Sequence, residues 1–128
     1  MDQAIRQALA SGLLVDITTT GRSSGEPRRI EIVTHVFDGR IYISGMPDPS
    51  RERAWLLNLK TKPQMTLHLK KGPVADLAAT ARVISDPAER HQIMALIAQV
   101  WNRDPSAMEA HSPLIEVAVD GYGADRAT

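Results

Sequence analysis

The sequence predicts a small, mainly antiparallel β-barrel decorated by helices. Three observations carry this. Stretches with strand periodicity outnumber those with helical periodicity. Most consecutive strand stretches are joined by tight turns, which makes them antiparallel neighbours. At 128 residues the chain has the length of one domain with one core, so residues 1–128 read as a single domain in which closing the sheet removes its edges.

Taken in order, Ile5, Ala8 and Leu9 share one face of a short N-terminal helix within residues 1–12, which Gly12 stops. Leu13 to Thr20 reads as a strand. Arg28 to Phe37 reads as another, with Ile30, Ile32, Thr34 and Val36 on one face. Asp38-Gly39 is a two-residue hairpin turn into the strand Arg40 to Ser44. Asp48-Pro49 has the form of a helix start, an acid cap followed by proline, for a helix carrying Trp55, Leu56 and Leu59 and ending before Pro63. Met65, Leu67 and Leu69 alternate with polar residues in a half-buried strand, and Lys71-Gly72-Pro73 turns the chain. Ala75, Leu77, Ala79, Ala81 and Val83 then alternate over a long strand whose small side chains suit a crowded barrel interior. Asp86-Pro87-Ala88-Glu89 forms a capping box for a third helix with a stripe of Ile93, Leu96, Ile97 and Val100. Leu114 to Val119 is the last strand, before a polar tail at residues 120–128. The expected order is α-β-β-β-α-β-β-α-β, with three helices.

Composition removes several function classes. Hydrophobic residues at 43% and charged residues at 23% are those of an ordinary globular protein. Fifteen basic residues balance fifteen acidic ones, so no global field draws the chain to nucleic acid or to an anionic membrane, and any anion must be held by a local cluster. The absence of cysteine excludes disulfides, thiolate metal sites and cysteine nucleophiles. The first residues lack a continuous apolar region and no apolar run approaches spanning length, which leads to the expectation of a cytoplasmic protein. A homodimer and a peripheral membrane contact remain open.

The most distinctive stretch is ITTTGRSSGEPRRIEI, from Ile17 to Ile32. Gly21 and Gly25 allow a loop in which backbone N–H groups converge, Ser23 and Ser24 add hydroxyls, and Arg22, Arg28 and Arg29 add fixed positive charge, a set that suits a phosphate. A polar hairpin loop with solvated arginines explains the same residues. The stretch is neither a P-loop nor a dinucleotide fingerprint, because no Lys-Ser/Thr pair follows the glycines and a strand, not a helix, comes next. His35 and His68 lie on strands but lack a third ligand at metal spacing, so no metal site is expected. His111-Ser112 has no acid partner for a hydrolase triad.

The segments TTTGRSSGEPRR, DGRIYISG, AWLLNLKTKP and LHLKK follow one another as in the deazaflavin-dependent nitroreductase family, which the chain resembles over nearly its whole length after Leu13. The resemblance implies an α+β split β-barrel of the FMN-binding-like type, coenzyme F420 as cofactor with FMN as second choice, and hydride transfer to an electron-poor small molecule such as a quinone or enone. It places the loop from Arg22 through Ser23, Ser24, Gly25 and Arg28 to Arg29 at the cofactor's phosphate. It places Ser44, Gly45, Met46, Trp55, Asn58 and Leu59 beside the ring and side chain, and assigns no catalytic residue. Where the family has lysine this chain has Ser23, and where it has Pro-Leu this chain has Glu31-Ile32, which puts a carboxylate near the cofactor. VWNRDPS, from Val100 to Ser106, lacks the tyrosines of nitroimidazole-reducing members. A carrier of a fatty acid or other apolar ligand in the same cleft is the alternative reading.

Overall fold

The computed structural model describes residues 1–122. Asp2 caps α1 (Gln3–Ser11) by accepting the N–H of Ala4 at 2.7 Å, and Gly12, at φ 68°, turns the chain out of the helix. β1 (Leu14–Thr20), β2 (Pro27–Phe37) and β3 (Arg40–Ser44) form a meander. Asp38 and Gly39, at φ 54° and 73°, make the hairpin turn read from the sequence. α2 (Ala54–Thr61), β4 (Gln64–Leu69) and β5 (Ala75–Val83) follow, then α3 (Pro87–Trp101), α4 (Pro105–His111) and β6 (Leu114–Val119). The strands close into an antiparallel barrel in the order β1-β2-β3-β6-β5-β4, with β1 against β4 through Asp16 opposite His68.

Alternation fills the barrel. Val15, Ile17, Ile41, Ile43, Leu67, Ala79, Ala81 and Val117 point inward and are buried, and the alanines of β5 leave room for the larger side chains across from them. α1 enters this core with Ala8 and Leu9, and α2 enters it with Trp55, Leu56 and Leu59. α2 lies between the end of β3 and the start of β4, at the end of the barrel that also carries the β1–β2 loop. A second core outside the wall joins Tyr42, Ile84 and Leu114 to Ile93, Met94, Ile97, Ala98 and Met108.

Four sequence-based expectations need correction. There are four helices, not three. Asp104 caps α4 through the N–H of Ser106, with Pro105 at the first position, but seven residues with only Met108 buried leave no periodic stripe to read. α2 begins at Ala54, not after Asp48. The Asp48 carboxylate accepts from the N–H and hydroxyl of Ser50 at 2.9 and 2.6 Å, a local turn that competes with helix capping. α3 buries Ile93, Met94, Ile97 and Ala98, while Leu96 and Val100 are 36% and 61% exposed. Both stripes satisfy helical spacing, and the outer surface of β3 and β6 selects between them. The capping box is half made, because Asp86 accepts the Glu89 N–H at 2.9 Å but the Glu89 carboxylate pairs with Arg82 through two bonds of 2.7 and 3.0 Å. Of the expected polar tail, residues 123–128 lie outside the described residues.

His35 sits on the outer face of β2, stacked on Phe37 at a centroid distance of 6.4 Å and edge-on to Trp101 at 5.2 Å. It is 6% exposed and its Nε2 has no hydrogen-bond partner among the described residues. Burial holds its pKa below the ordinary histidine value of 6.5, because the charged ring would lose its solvation. The unfolded chain then binds a proton that the folded chain refuses, so stability is complete above about pH 6.5 and falls as the pH drops toward the folded value. Carboxylates such as Asp16 and Glu89, held below their ordinary values, add losses only at lower pH. His35→Phe, whose ring fits the aromatic cluster, is expected to flatten the fall in thermal midpoint between about pH 7 and pH 5. An unchanged pH profile in this variant would show that His35 is not the group responsible.

Candidate functional site

The loop after β1 is shaped by its glycines. The N–H of Gly21 donates to the Glu26 carbonyl and that of Gly25 to the Gly21 carbonyl, both at 2.8 Å. A Cβ on Gly21 would lie 2.7 Å from Ser24 Oγ and 3.1 Å from the Glu26 carbonyl, so a larger residue would open the turn. Gly25 takes φ 73°, the left-handed region that glycine enters freely. Ser24 Oγ accepts from the Glu26 N–H at 3.1 Å and from Arg28 Nη2 at 3.4 Å.

Asn58, on α2 and 3% exposed, ties the loop to the barrel. Its Oδ1 accepts from the Arg22 N–H at 3.1 Å and from Arg22 Nη1 at 3.3 Å. Its Nδ2 donates to Thr19 Oγ1 at 3.1 Å. Of the loop's backbone donors, those of Gly21, Arg22, Gly25 and Glu26 are thus engaged within the chain. Those of Ser23 and Ser24 have no partner among the described residues.

Between loop and helix lies a cleft of about 340 Å³, lined by Arg22, Ser23, Ser24, Arg28, Arg29, Trp55 and Asn58 together with Thr19, Gly21, Ile30 and Ala54. Seven of the residues expected at a cofactor site therefore meet in one place. The guanidiniums of Arg22 and Arg28 hydrogen-bond only Asn58 Oδ1 and Ser24 Oγ, and neither meets a carboxylate among the described residues.

Arg29 differs from these two. Its Nε donates to Asp16 Oδ2 at 3.0 Å, and Lys70 reaches Asp16 Oδ1 at 2.7 Å and also pairs with Glu31. The hydrogen bonds from Lys70 and Arg29 hold the Asp16 carboxyl below the usual carboxylate range, and those to Asp16 and Glu31 raise the Lys70 ammonium. Glu31 lies opposite Asp16 across the strands, belongs to this network, and does not line the cleft. The Arg28 position, opposite Thr19, stays on the cleft side.

Five expected site residues lie elsewhere. Ser44 is buried on the outer wall, where its hydroxyl donates to the Pro113 carbonyl at 2.6 Å. Gly45 gives way to its neighbours, since a Cβ there would lie 3.2 Å from Arg53 Nη2 and 3.3 Å from Pro113. Met46 is 41% exposed and accepts from Arg53 Nη2 through its carbonyl at 2.5 Å. Leu59 is in the barrel core, and Gly25 faces a separate groove beside Pro27 and Met65. VWNRDPS closes α3 against β2 through Trp101 and does not line the cleft. Thr19, Ile30 and Ala54, by contrast, were not singled out in the sequence. The register Thr19 opposite Arg28 and Ile17 opposite Ile30 was the available signal for Thr19 and Ile30, since it puts both on the strand face that ends at the loop, whereas Ala54 opens α2 and had no such signal.

No group of three or more His, Asp or Glu side chains able to hold a metal forms among the described residues. His68 is taken up by Thr18 Oγ1 at 2.7 Å and Asp76 Oδ1 at 2.6 Å. His91 pairs with Glu109 at 2.7 Å. No helix among the described residues is long and apolar enough to cross a membrane.

The closed barrel with its capping helix is a split β-barrel, with an arginine-lined cleft at the barrel end. Residues 5–121 match the model of the F420H(2)-dependent quinone reductase family, and the chain belongs to that family of oxidoreductases. Among solved structures it is similar to an F420-H2 dependent reductase at 22% identity, covering 81% of this chain and 92% of that one with a TM-score of 0.57. It is also similar to the heme storage protein HutZ of Vibrio cholerae, at 12% identity over 90% of this chain and 84% of that one, with a TM-score of 0.65. A third similar structure, described as a domain-swapped dimer, has 21% identity over 91% of this chain and 81% of that one, with a TM-score of 0.59. These likenesses establish the fold alone. No curated protein sequence matches the chain.

Replacing Asn58 by leucine keeps the branched shape and number of side-chain heavy atoms, removes all three of its hydrogen bonds, and leaves Thr19 Oγ1 and the Arg22 N–H without that partner. Such a loss costs about 1–3 kcal/mol, to be read as a lower denaturant midpoint at unchanged slope. A change under about 0.5 kcal/mol, the size of an ordinary surface substitution, would mean that the loop is held by its glycine turn alone.

Proposed function

We propose that the chain is a reductase that binds coenzyme F420 in preference to FMN, with the cofactor's phosphate in the arginine cleft, and passes reducing equivalents to a quinone or enone. One observation carries this reading. Arg22 and Arg28 bring two guanidiniums without carboxylate partners to the same cleft as the unengaged N–H groups of Ser23 and Ser24.

The donor set fits a phosphate. Guanidinium forks and backbone N–H groups are the donors that phosphate oxygens accept best, and the lysine that Ser23 replaces is made up in part by these amides. Ile30 and the Trp55 ring give the cleft an apolar wall for a flat group. When bound, the reduced deazaflavin supplies the hydride. The protein's part is to hold the phosphate, to fix the direction of the attached group against Trp55, and to keep the loop rigid through Asn58. No acid or base of the chain is assigned to the reaction.

The alternative of an apolar-ligand carrier drew support from Glu31 opposing a phosphate. Ile30 in the cleft lining still suits an apolar ligand, but Glu31 is paired to Lys70 and does not line the cleft, and two arginines there favour an anionic ligand. A homodimer belongs to the same proposal, on the likeness to the domain-swapped dimer.

Titration by fluorescence with F420 and with FMN tests the reading, and binding of F420 no tighter than FMN would reject it. Arg22→Ala and Arg28→Ala should each weaken F420 by about tenfold to a hundredfold, since a charge-assisted hydrogen bond contributes about 1.5–3 kcal/mol. The Arg22 backbone N–H still reaches Asn58 in the variant, so the thermal midpoint should move little. Unchanged affinity in both variants would mean that the loop holds no phosphate.

A further inference from the structure

α2 has a second cleft on its opposite flank. It is the larger of the two at about 450 Å³ and shares no residue with the arginine-loop cleft. The segment before α2 forms one wall, the end of β5 and Arg90 of α3 another, and His111 to Leu114 the third.

Its charges do not cancel. Arg51, Arg53, Lys60 and Arg90 line it against Asp48 and Glu52, four positive groups against two negative. The two acids are already committed, Asp48 to Arg51 at 3.6 Å and Glu52 to Lys60 at 2.8 Å. Arg53 donates to a carbonyl, that of Met46. Arg90 likewise donates only to carbonyls, those of Ile84, Glu109 and Ser112 at 3.4, 2.6 and 2.9 Å. These bonds fix the two guanidiniums in place and leave part of each five-donor fork unused; neither is in a salt bridge among the described residues, although the Asp48 carboxylate lies close enough to feel the Arg53 charge. Burial lowers the Arg90 pKa, with the Glu109 charge opposing it in part.

Two further features favour an anion at the same place. The N–H groups of Ala54, Trp55 and Leu56 precede the first intrahelical bond of α2, from Leu57 to Arg53, and neither a capping side chain nor an acid in the first turn serves them. The positive end of the helix is therefore unneutralised beside Arg53 and Leu56, both of which line the cleft. Independently, Ser112 on the third wall is 5% exposed and its hydroxyl has no hydrogen-bond partner among the described residues, an unpaired buried donor in the wall of the cleft.

We infer that this cleft is a second ligand site, separate from the arginine loop, for a small molecule bearing a phosphate or carboxylate on an apolar body. The guanidiniums of Arg53 and Arg90 meet the anionic group. Leu56, Val83, Ile84 and Leu114 provide apolar wall for the rest, and the volume is that of a small-molecule site.

The test is a titration of isotope-labelled protein at low salt with phenyl phosphate, benzoate and inorganic phosphate, followed through the backbone amide signals. Saturable shifts are expected at Arg53 to Leu56 and around Ser112, and the stronger of phenyl phosphate and benzoate identifies the anionic group. Inorganic phosphate, lacking the apolar body, should bind more weakly than phenyl phosphate. Arg53→Ala should weaken binding about tenfold or more, the worth of one charge-assisted bond. Arg51→Ala, at a 79% exposed side chain that the fold does not need, should weaken it about twofold to fivefold. Arg22→Ala should leave it unchanged, which separates this site from the cofactor reading. Shifts confined to residues 21–30, loss of binding in Arg22→Ala, or no saturable binding of any probe would overturn the inference.

Discussion

One carboxamide holds the functional end of this barrel together. Asn58 reaches from α2 to the backbone and side chain of Arg22 and to the hydroxyl of Thr19, so a helix, a loop and a strand share a single buried group. Its two halves are used according to their chemistry, the oxygen accepting and the nitrogen donating, and the loop cannot drift without leaving a buried polar atom unpaired. The glycine turn at Gly21 supplies the shape, and Asn58 supplies the position. The orientation of Trp55, three residues earlier on the same helix, follows from the same anchor.

The barrel's other charges are arranged so that they do not compete with the cleft. Arg29 and Lys70 have their charge absorbed by Asp16 and Glu31 on the outer face, and Arg82 is absorbed by Glu89 and Glu116. A net charge of zero therefore conceals a non-uniform surface. Carboxylates sit where cations are structural and are missing where Arg22 and Arg28 face the cleft. Counting basic residues along TTTGRSSGEPRR treats three arginines as equal, whereas strand alternation sends Arg28 and Arg29 to opposite faces.

This separates what could be read from what could not. The barrel was legible because period-two alternation and the Asp38-Gly39 turn are local signals, and the strand from Leu114 to Val119 matches its expected limits. The lining of the loop cleft was legible for the residues whose chemistry is unusual in a turn, namely Gly21, Ser23, Ser24 and the arginines, but not for Gly25, which faces another groove. Asn58 and Trp55 came from the family resemblance, since nothing in AWLLNLKTKP by itself says that an asparagine on a helix will face a loop some thirty-six residues earlier. The pairing of Glu31 was not legible because its partner, Lys70, lies two strands away in the closed sheet, and such pairing depends on barrel order. The start of α2 failed for a different reason: Asp48 can satisfy a turn or a helix, and Ser50 two residues on decides for the turn.

The position of α2 has one more consequence. Eight residues long, it forms a wall of two clefts, presenting Ala54, Trp55 and Asn58 to one and Leu56 and Lys60 to the other. A helix this short moves as a rigid rod, so a displacement that tightens one wall alters the other. If molecules occupy both flanks, any factor that one imposes on affinity at the other is imposed in return.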